Sequence, residues 1–270
     1  MKKKFINVLN VLMPLAGILL GLLVSYAGAL VLDDEGTISL TLISTGIEII
    51  GAILVFFLAY KVISRFFPAV KDYSFRFPKW QIILAIFFIA PLWFIVKYGI
   101  VYGVTSIFGS VAFEPCGLAS DEVVPSLVES ISAVLVAPIT EEVCFRFIPI
   151  SVFEKKHTKI IVGILLAIVF SLLHVRNFLA VMLDALIFTV LLLRTKNVWY
   201  NILMHSALNL SATLVFFLSL AGFRIKKSTG MLMVMLIDIK GMILFVVLAL
   251  VGFFLLLWSK NHYRTDVFQK

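Results

Sequence analysis

Two adjacent carboxylates and a guanidinium interrupt an apolar part of the chain: Glu141, Glu142 and Arg146. Apolar residues dominate both flanks, in the ranges 131–139 and 147–153. An ionisable side chain in the middle of a membrane helix costs about 2.5–3.5 kcal/mol on insertion scales, so these three need partners or a function. Glu142 and Arg146 are four residues apart on one helical face, in the order that favours an ion pair. Glu141 points about 100° away, so it needs a different partner or role.

Two histidines and an asparagine in later apolar stretches are the candidate partners of Glu141. Phe170 and His174 are four residues apart, as are His205 and Asn209, so each pair shares a helical face. A single histidine at the end of a span is usually interfacial or structural. Here three spans each supply a polar group, at depths of about 13–24 Å, so the groups can meet inside the bilayer.

Side chains of these types support hydrolysis. A carboxylate can take a proton from water, and an imidazole can bind a metal or polarise a carbonyl. An asparagine amide can donate a hydrogen bond to a developing oxyanion. The sequence contains no HExxH helix, which excludes the usual zinc-protease arrangement of soluble enzymes.

The elements that must position these residues are membrane helices. The chain has 270 residues, of which 62% are hydrophobic and 14% charged, whereas soluble domains are about half apolar and about a quarter charged. We predict an all-α polytopic membrane protein, a single transmembrane domain over residues 1–270, with a bundle of about eight helices around a buried polar site. The predicted spans are 5–32, 38–63, 80–109, 124–153, 158–175, 178–194, 196–221 and 231–258.

The charges between the spans predict the orientation of the chain. Basic residues flank the even-numbered connections and both ends, while acidic residues fill the first and third connections, so we expect both termini in the cytoplasm. Arg224, Lys226 and Lys227 fall on the predicted outer side, which is either a local exception or the result of one miscounted span. The basic and aromatic connection at residues 66–80 should lie along the anionic inner leaflet. Because basic residues occur in short runs between apolar spans, the net charge of +8 does not indicate a nucleic-acid partner.

Other residues inside the predicted spans have structural interpretations. Glu48 and Lys97 lie at a similar depth from the outer side, about 15 Å, which predicts a mutual ion pair. Asp184 is expected to cap or pair locally, or to contact Arg176. Cys144 is expected to be a small buried hydrophobe, since the two cysteines of the chain form no disulfide or metal pattern.

The chain resembles the CPBP intramembrane proteases in three motifs that occur in the family's order: Glu141-Glu142-x-x-x-Arg146, Phe170-x-x-x-His174 and His205-x-x-x-Asn209. That family includes the type II CAAX prenyl endopeptidases and bacterial bacteriocin-processing or self-immunity (Abi) proteins. The resemblance covers residues 124–220, the catalytic core of such proteins. Each motif is short, whereas all three in order are specific. The resemblance makes Glu142 and Arg146 supporting residues of the site.

The resemblance also implies a catalytic role for the remaining polar residues. Glu141 would activate the attacking water together with His174, while His205 and Asn209 would hold the scissile carbonyl and its oxyanion. Two histidines and a carboxylate, here His174, His205 and Glu141, are also a plausible set of ligands for Zn²⁺. Whether a metal or the glutamate itself activates the water stays open at this point.

The sequence therefore predicts an intramembrane endopeptidase in the plasma membrane of a bacterium. Its substrate would be a peptide or a lipid-anchored protein, cleaved in peptide maturation, bacteriocin self-immunity or signalling. The alternatives are a CAAX prenyl endopeptidase, a proton- or ion-coupled transporter and a non-catalytic membrane scaffold. A transporter would show an internal repeat with broken helices, which this sequence lacks. The intact motifs argue against a scaffold.

Overall fold

The computed structural model describes the central part of the chain. The described residues are 38–63, 65, 67–108, 112–115, 123–174, 177–220, 225–229 and 235–237, with single positions 19, 247 and 251. The predicted spans 5–32 and 231–258 lie almost wholly outside the described residues.

The helices follow the predicted spans between residues 38 and 221. They are α1 (Ile38–Phe57, continued by a π-helical stretch Leu58–Ile63), α2 (Trp80–Phe108), α3 (Val123–Leu135), α4 (Ala137–Glu142), a π-helical stretch Val143–Phe147, α5 (Ile148–Ser151), α6 (Lys156–Leu173), α7 (Phe178–Thr195) and α8 (Val198–Leu220). A 3-10 helix, Pro68–Asp72, lies between α1 and α2.

Three of these helices contain a segment long and apolar enough to cross a membrane: Trp80–Val101, Lys156–Leu173 and Phe178–Thr195. A shorter apolar helix covers Ile43–Phe57. The predicted helical and membrane character is therefore confirmed for these helices, while the number of eight spans stays a prediction.

The predicted span 124–153 is not one regular α-helix. Pro138 lies in the first turn of α4, and its nitrogen has no hydrogen to donate to the preceding turn. Pro149 has the same effect in α5. Between them the backbone adopts the wider π-helical form, in which the Ile148 N–H donates to the Val143 carbonyl. Such π-helical turns occur frequently at functional sites, and this one follows Glu142 directly.

The chain divides into two compact units: residues 1–76, 120–167 and 188–202, and residues 77–119, 168–187 and 203–270. In the first unit, α1 packs against α3 and α4. The Ser132 hydroxyl donates a hydrogen bond to the Glu48 carboxylate at this contact. Also in the first unit, a Cβ placed at Gly163 of α6 would collide with the methyl group of Thr189 on α7.

In the second unit, an ion pair and a small apolar cluster join α2 to the first half of α7. Lys97 Nζ lies 2.6 Å from Asp184 Oδ2. The Trp93 indole N–H donates to Asp184 Oδ1 at 2.7 Å. One helical turn further along α2, buried Val101 packs with buried Ala180. From Lys97 to Val101 along α2, the partner on α7 changes from Asp184 to the earlier residue Ala180, so these two helices run antiparallel.

The predicted pair of Glu48 and Lys97 is wrong. Lys97 pairs with Asp184, and Glu48 accepts a hydrogen bond from Ser132. The prediction used equal depth in the membrane, but depth does not determine which helices are neighbours. For the same reason Asp184, expected to pair locally or with Arg176, binds a lysine far away in the sequence.

A small antiparallel sheet in the second unit was not foreseen. It consists of β1 (Ala112–Pro115), β2 (Ile225–Thr229) and β3 (Met235–Ile237), in the order β1-β2-β3. Strands of three to five residues carry little periodic signal, and their pairing joins segments far apart in the sequence. The register sets Glu114 opposite Lys227. The strand in the acidic third connection therefore pairs with the strand in the basic seventh connection.

Candidate active site

Glu142, Arg146 and Asn201 form a fully buried polar cluster in the first unit. Their exposed fractions are 0%, 1% and 0%, so each polar group depends on protein partners. Arg146 Nη1 donates to Glu142 Oε1 at 3.0 Å, and Asn201 Nδ2 donates to Glu142 Oε2 at 3.0 Å. Both carboxylate oxygens of Glu142 are therefore hydrogen-bonded.

Phe188 of α7 completes this cluster. Its backbone carbonyl accepts the second hydrogen of Asn201 Nδ2 at 2.8 Å, and its ring lies 5.6 Å from the Arg146 guanidinium carbon. A buried ion pair is stable only where further hydrogen bonds offset the loss of hydration. The predicted pair of Glu142 and Arg146 is thus confirmed, and the structure adds the amide and the aromatic ring that stabilise it.

Sequence reasoning missed Asn201, although a signal was present. Asn201, His205 and Asn209 follow one another at intervals of four residues along α8. This spacing places all three on one face of the helix. The first asparagine of that series could have been assigned to the site together with the other two.

Glu141 differs from its neighbour in its surroundings. Both residues end α4 and precede the π-helical stretch, but Glu141 is only partly buried. The side chains of adjacent helical residues diverge by about 100°, so the cluster around Glu142 cannot enclose both carboxylates equally. Glu141 is the more accessible carboxylate of the two.

In the second unit, one aromatic ring lies beside both histidines of the predicted site. The ring centroid of Phe170 is 4.6 Å from that of His174 and 6.5 Å from that of His205. Phe170 and His205 are buried, whereas His174 is exposed in the turn after α6. Asn209 lies one turn beyond His205 and is partly buried.

The hydrogen bond of His174 determines its tautomer. Its Nδ1 lies 2.9 Å from the backbone carbonyl oxygen of Phe170. Because a carbonyl only accepts hydrogen bonds, Nδ1 must carry the hydrogen. In the neutral ring the lone pair is then on Nε2, the nitrogen that can accept a proton or a metal.

The predicted site residues are divided between the two units. The first unit contains Glu141, Glu142 and Arg146, and the second contains His174, His205 and Asn209. The meeting of the two sets at one point stays a prediction.

The residues that the structure describes include no group of three or more His, Cys, Asp and Glu side chains arranged to hold a metal ion. Within the first unit, both oxygens of Glu142 are already hydrogen-bonded to Arg146 and Asn201. The zinc set of Glu141, His174 and His205 is divided between the two units and stays a prediction.

Comparison with known proteins agrees with the motifs. Residues 123–211 match the family model described as type II CAAX prenyl endopeptidase Rce1-like. No curated protein and no solved structure matches the chain. The matched range contains all six predicted site residues together with Asn201. The resemblance to CPBP proteases is thus confirmed as a match of residues 123–211 to this family model.

Proposed function

We propose that the protein is an intramembrane endopeptidase in which Glu141 activates water and the two histidines and Asn209 act on the peptide carbonyl. The observation that carries the proposal is the family match over residues 123–211, which includes every motif residue. The buried cluster of the first unit supports it, because it assigns different tasks to the two adjacent glutamates.

Glu142 is poorly suited to act as the base. Its protonation would disrupt hydrogen bonds from Arg146 and Asn201 in a site without water contact. Glu141 is more accessible and is the carboxylate that can take the proton from the attacking water. Glu142, Arg146 and Asn201 then keep the π-helical stretch in place, and with it the backbone next to Glu141.

The second unit would supply the groups for the water and for the carbonyl. The Nδ1–H bond to Phe170 leaves Nε2 of His174 as the acceptor, so this nitrogen can orient the water beside Glu141. His205 and Asn209 share one face of α8. The Asn209 amide can donate to the oxygen of the tetrahedral intermediate, and His205 can bind the carbonyl before attack.

The substrate we propose is a peptide or a membrane-associated protein, cleaved in bacterial peptide maturation, bacteriocin self-immunity or signalling. A prenylated protein is the second candidate, since the matching family model is described as a CAAX prenyl endopeptidase. Two substrate libraries separate these candidates: membrane peptides with free cysteines and the same peptides with prenylated cysteines.

Cleavage by the purified full-length protein, measured by mass spectrometry of these libraries, tests the proposal. Glu141→Gln keeps the shape of the side chain and removes the base, so we expect it to abolish cleavage. Glu129→Gln is the matched control, since Glu129 is an exposed glutamate of α3 and should tolerate the same change. Near-normal turnover of a proven substrate by Glu141→Gln would contradict the mechanism.

A further inference from the structure

The two-residue connection between α7 and α8 in the first unit has a defined conformation. Lys196 adopts the left-handed backbone conformation, with φ of 51°, and reverses the chain after α7. Asn197 caps α8 by accepting a hydrogen bond from the Trp199 N–H at 3.0 Å. The connection therefore presents fixed donors and acceptors to its neighbours.

Residues 67–76, which we call the connecting segment, are fastened to this connection. The Ser74 N–H donates to the Lys196 carbonyl at 2.6 Å, Asn197 Nδ2 donates to the Arg76 carbonyl at 2.9 Å, and Trp199 Nε1 donates to the Phe75 carbonyl at 3.1 Å. These bonds involve the backbone of the segment, so they position it regardless of the charges that its side chains carry.

Aromatic packing holds the other side of the connecting segment against the helices. The rings of Phe75 and Tyr73 meet the ring of Phe147 edge-on, with centroids 4.8 and 5.8 Å away. Burial, and to a smaller extent the nearby Asp72, raises the pKa of Tyr73 to about 12. The phenol is neutral at physiological pH, so the charge of this region comes from its exposed residues.

The exposed residues at this end of the first unit are mainly cations. We call them the basic face: Lys71, Arg76, Lys155, Lys156, Arg194 and Lys196. Buried Lys159 Nζ lies 5.0 Å from the centroid of the Tyr73 ring, and the Ser74 N–H donates to the Lys196 carbonyl, so the connecting segment, the start of α6 and the end of α7 lie together. In the described part of the first unit, the exposed acidic neighbours of the face are Asp72 and Glu154.

We propose that the basic face binds the phosphate groups of anionic phospholipids. It lies where α6 begins and α7 ends, and both helices are long and apolar enough to cross a membrane. That is the level of lipid headgroups, whose negative charge complements the face and attracts basic residues close to the surface. Because hydrogen bonds already fix the backbone of the connecting segment, binding does not require the backbone to become ordered. The proposal does not depend on peptidase activity.

The experiment titrates the full-length protein in neutral detergent with short-chain phosphatidylglycerol or phosphatidylcholine, and measures bound lipid by native mass spectrometry. We expect tighter binding of phosphatidylglycerol, weakened by salt. Lys71→Gln with Arg76→Gln removes two cations but none of the backbone bonds, and should weaken phosphatidylglycerol binding about thirtyfold.

A second pair of substitutions tests the fixed backbone at constant charge. Asn197→Ser retains an oxygen to cap α8 but loses the amide that binds Arg76, and Trp199→Phe keeps the ring but loses its N–H. Together they should weaken phosphatidylglycerol binding about threefold to tenfold. Lys226→Gln with Lys227→Gln is the control for charge, because these residues of β2 are not part of the basic face, and it should bind lipid as the unaltered protein does.

Three results would overturn the proposal. One is equal binding of both lipids by the unaltered protein, and another is an equal loss of binding in the control pair. The third is tighter binding of inorganic phosphate or an acidic peptide than of phosphatidylglycerol. Full lipid preference in the pair of Asn197→Ser and Trp199→Phe would show that charge alone, without the fixed segment, accounts for binding. Thermal unfolding without lipid shows that each variant is folded.

Discussion

Each of the two units contains an ion pair within apolar helices, and the two pairs differ in sequence separation and in burial. In the first unit, Glu142 and Arg146 are four residues apart on the same helical run, with exposed side-chain fractions of 0% and 1%. In the second unit, Lys97 and Asp184 belong to α2 and α7 and are 6% and 14% exposed. The first pair lies within one helical run, whereas the second joins two helices through residues that are 87 positions apart in the sequence.

Both pairs recruit a neutral donor for the second oxygen of the carboxylate. Asn201 donates to Glu142, and the Trp93 indole donates to Asp184. A buried carboxylate with only its counter-ion would keep an unsatisfied oxygen, which is costly away from water. The comparison shows that spacing along a helix predicts a pair, while its remaining partners come from other helices and depend on packing.

Removing one charge of the local pair should have the largest effect on stability. Arg146→Ala leaves the carboxylate of Glu142 buried without its counter-ion, and we expect a loss of about 3–5 kcal/mol. Folded yield and the thermal unfolding midpoint in detergent measure the effect. Glu142→Gln together with Arg146→Gln removes both charges and should be milder. Normal folded yield of Arg146→Ala with complete loss of cleavage would instead indicate a direct chemical role.

The pair between helices should be less sensitive to substitution, because the side chain of Asp184 is 14% exposed, whereas that of Glu142 is 0% exposed. Lys97→Ala leaves Asp184 with the Trp93 donor, and we expect a loss of about 1–3 kcal/mol, measured in the same unfolding assay. Exchanging the two residues, Lys97→Asp with Asp184→Lys, should recover part of the loss. An exchange variant less stable than Lys97→Ala would show that the orientation of the pair, and not only its charge, is essential.

Removing the neutral donors compares the two sites directly. Asn201→Ala leaves two acceptors, Glu142 Oε2 and the Phe188 carbonyl, without their amide donor, and should cost about 1–3 kcal/mol. Trp93→Phe removes one hydrogen bond of Asp184 and should cost about 0.5–1.5 kcal/mol. A larger loss of stability in Trp93→Phe than in Asn201→Ala would contradict the expectation that the more deeply buried site is the more sensitive one.

Glu141→Gln should have the smallest effect on stability in this series. Its side chain is partly buried and keeps its shape, so the unfolding midpoint should change by less than the equivalent of about 0.5 kcal/mol. A small loss of stability in Glu141→Gln beside a large loss in Arg146→Ala would distinguish a catalytic residue from a structural one. A loss comparable to that of Arg146→Ala would place Glu141 in the structural cluster.

The sequence by itself determined the features that depend on local periodicity. Apolar runs predicted the helices between residues 38 and 221, because a membrane helix must satisfy its backbone internally and expose apolar side chains. A spacing of four residues predicted the pair of Glu142 and Arg146, since those positions are adjacent on any helix. Three short motifs in order were enough to predict the kind of family model that residues 123–211 match.

Only the tertiary structure decided which distant residues meet. Lys97 binds Asp184 and not Glu48, Asn201 completes the site of Glu142, and Glu114 lies opposite Lys227 in a sheet. Hydropathy and depth are properties of single segments, so they do not specify which helices are neighbours or which faces come together. Those contacts follow from side-chain packing and from the requirement that every buried charge finds a donor or a counter-ion.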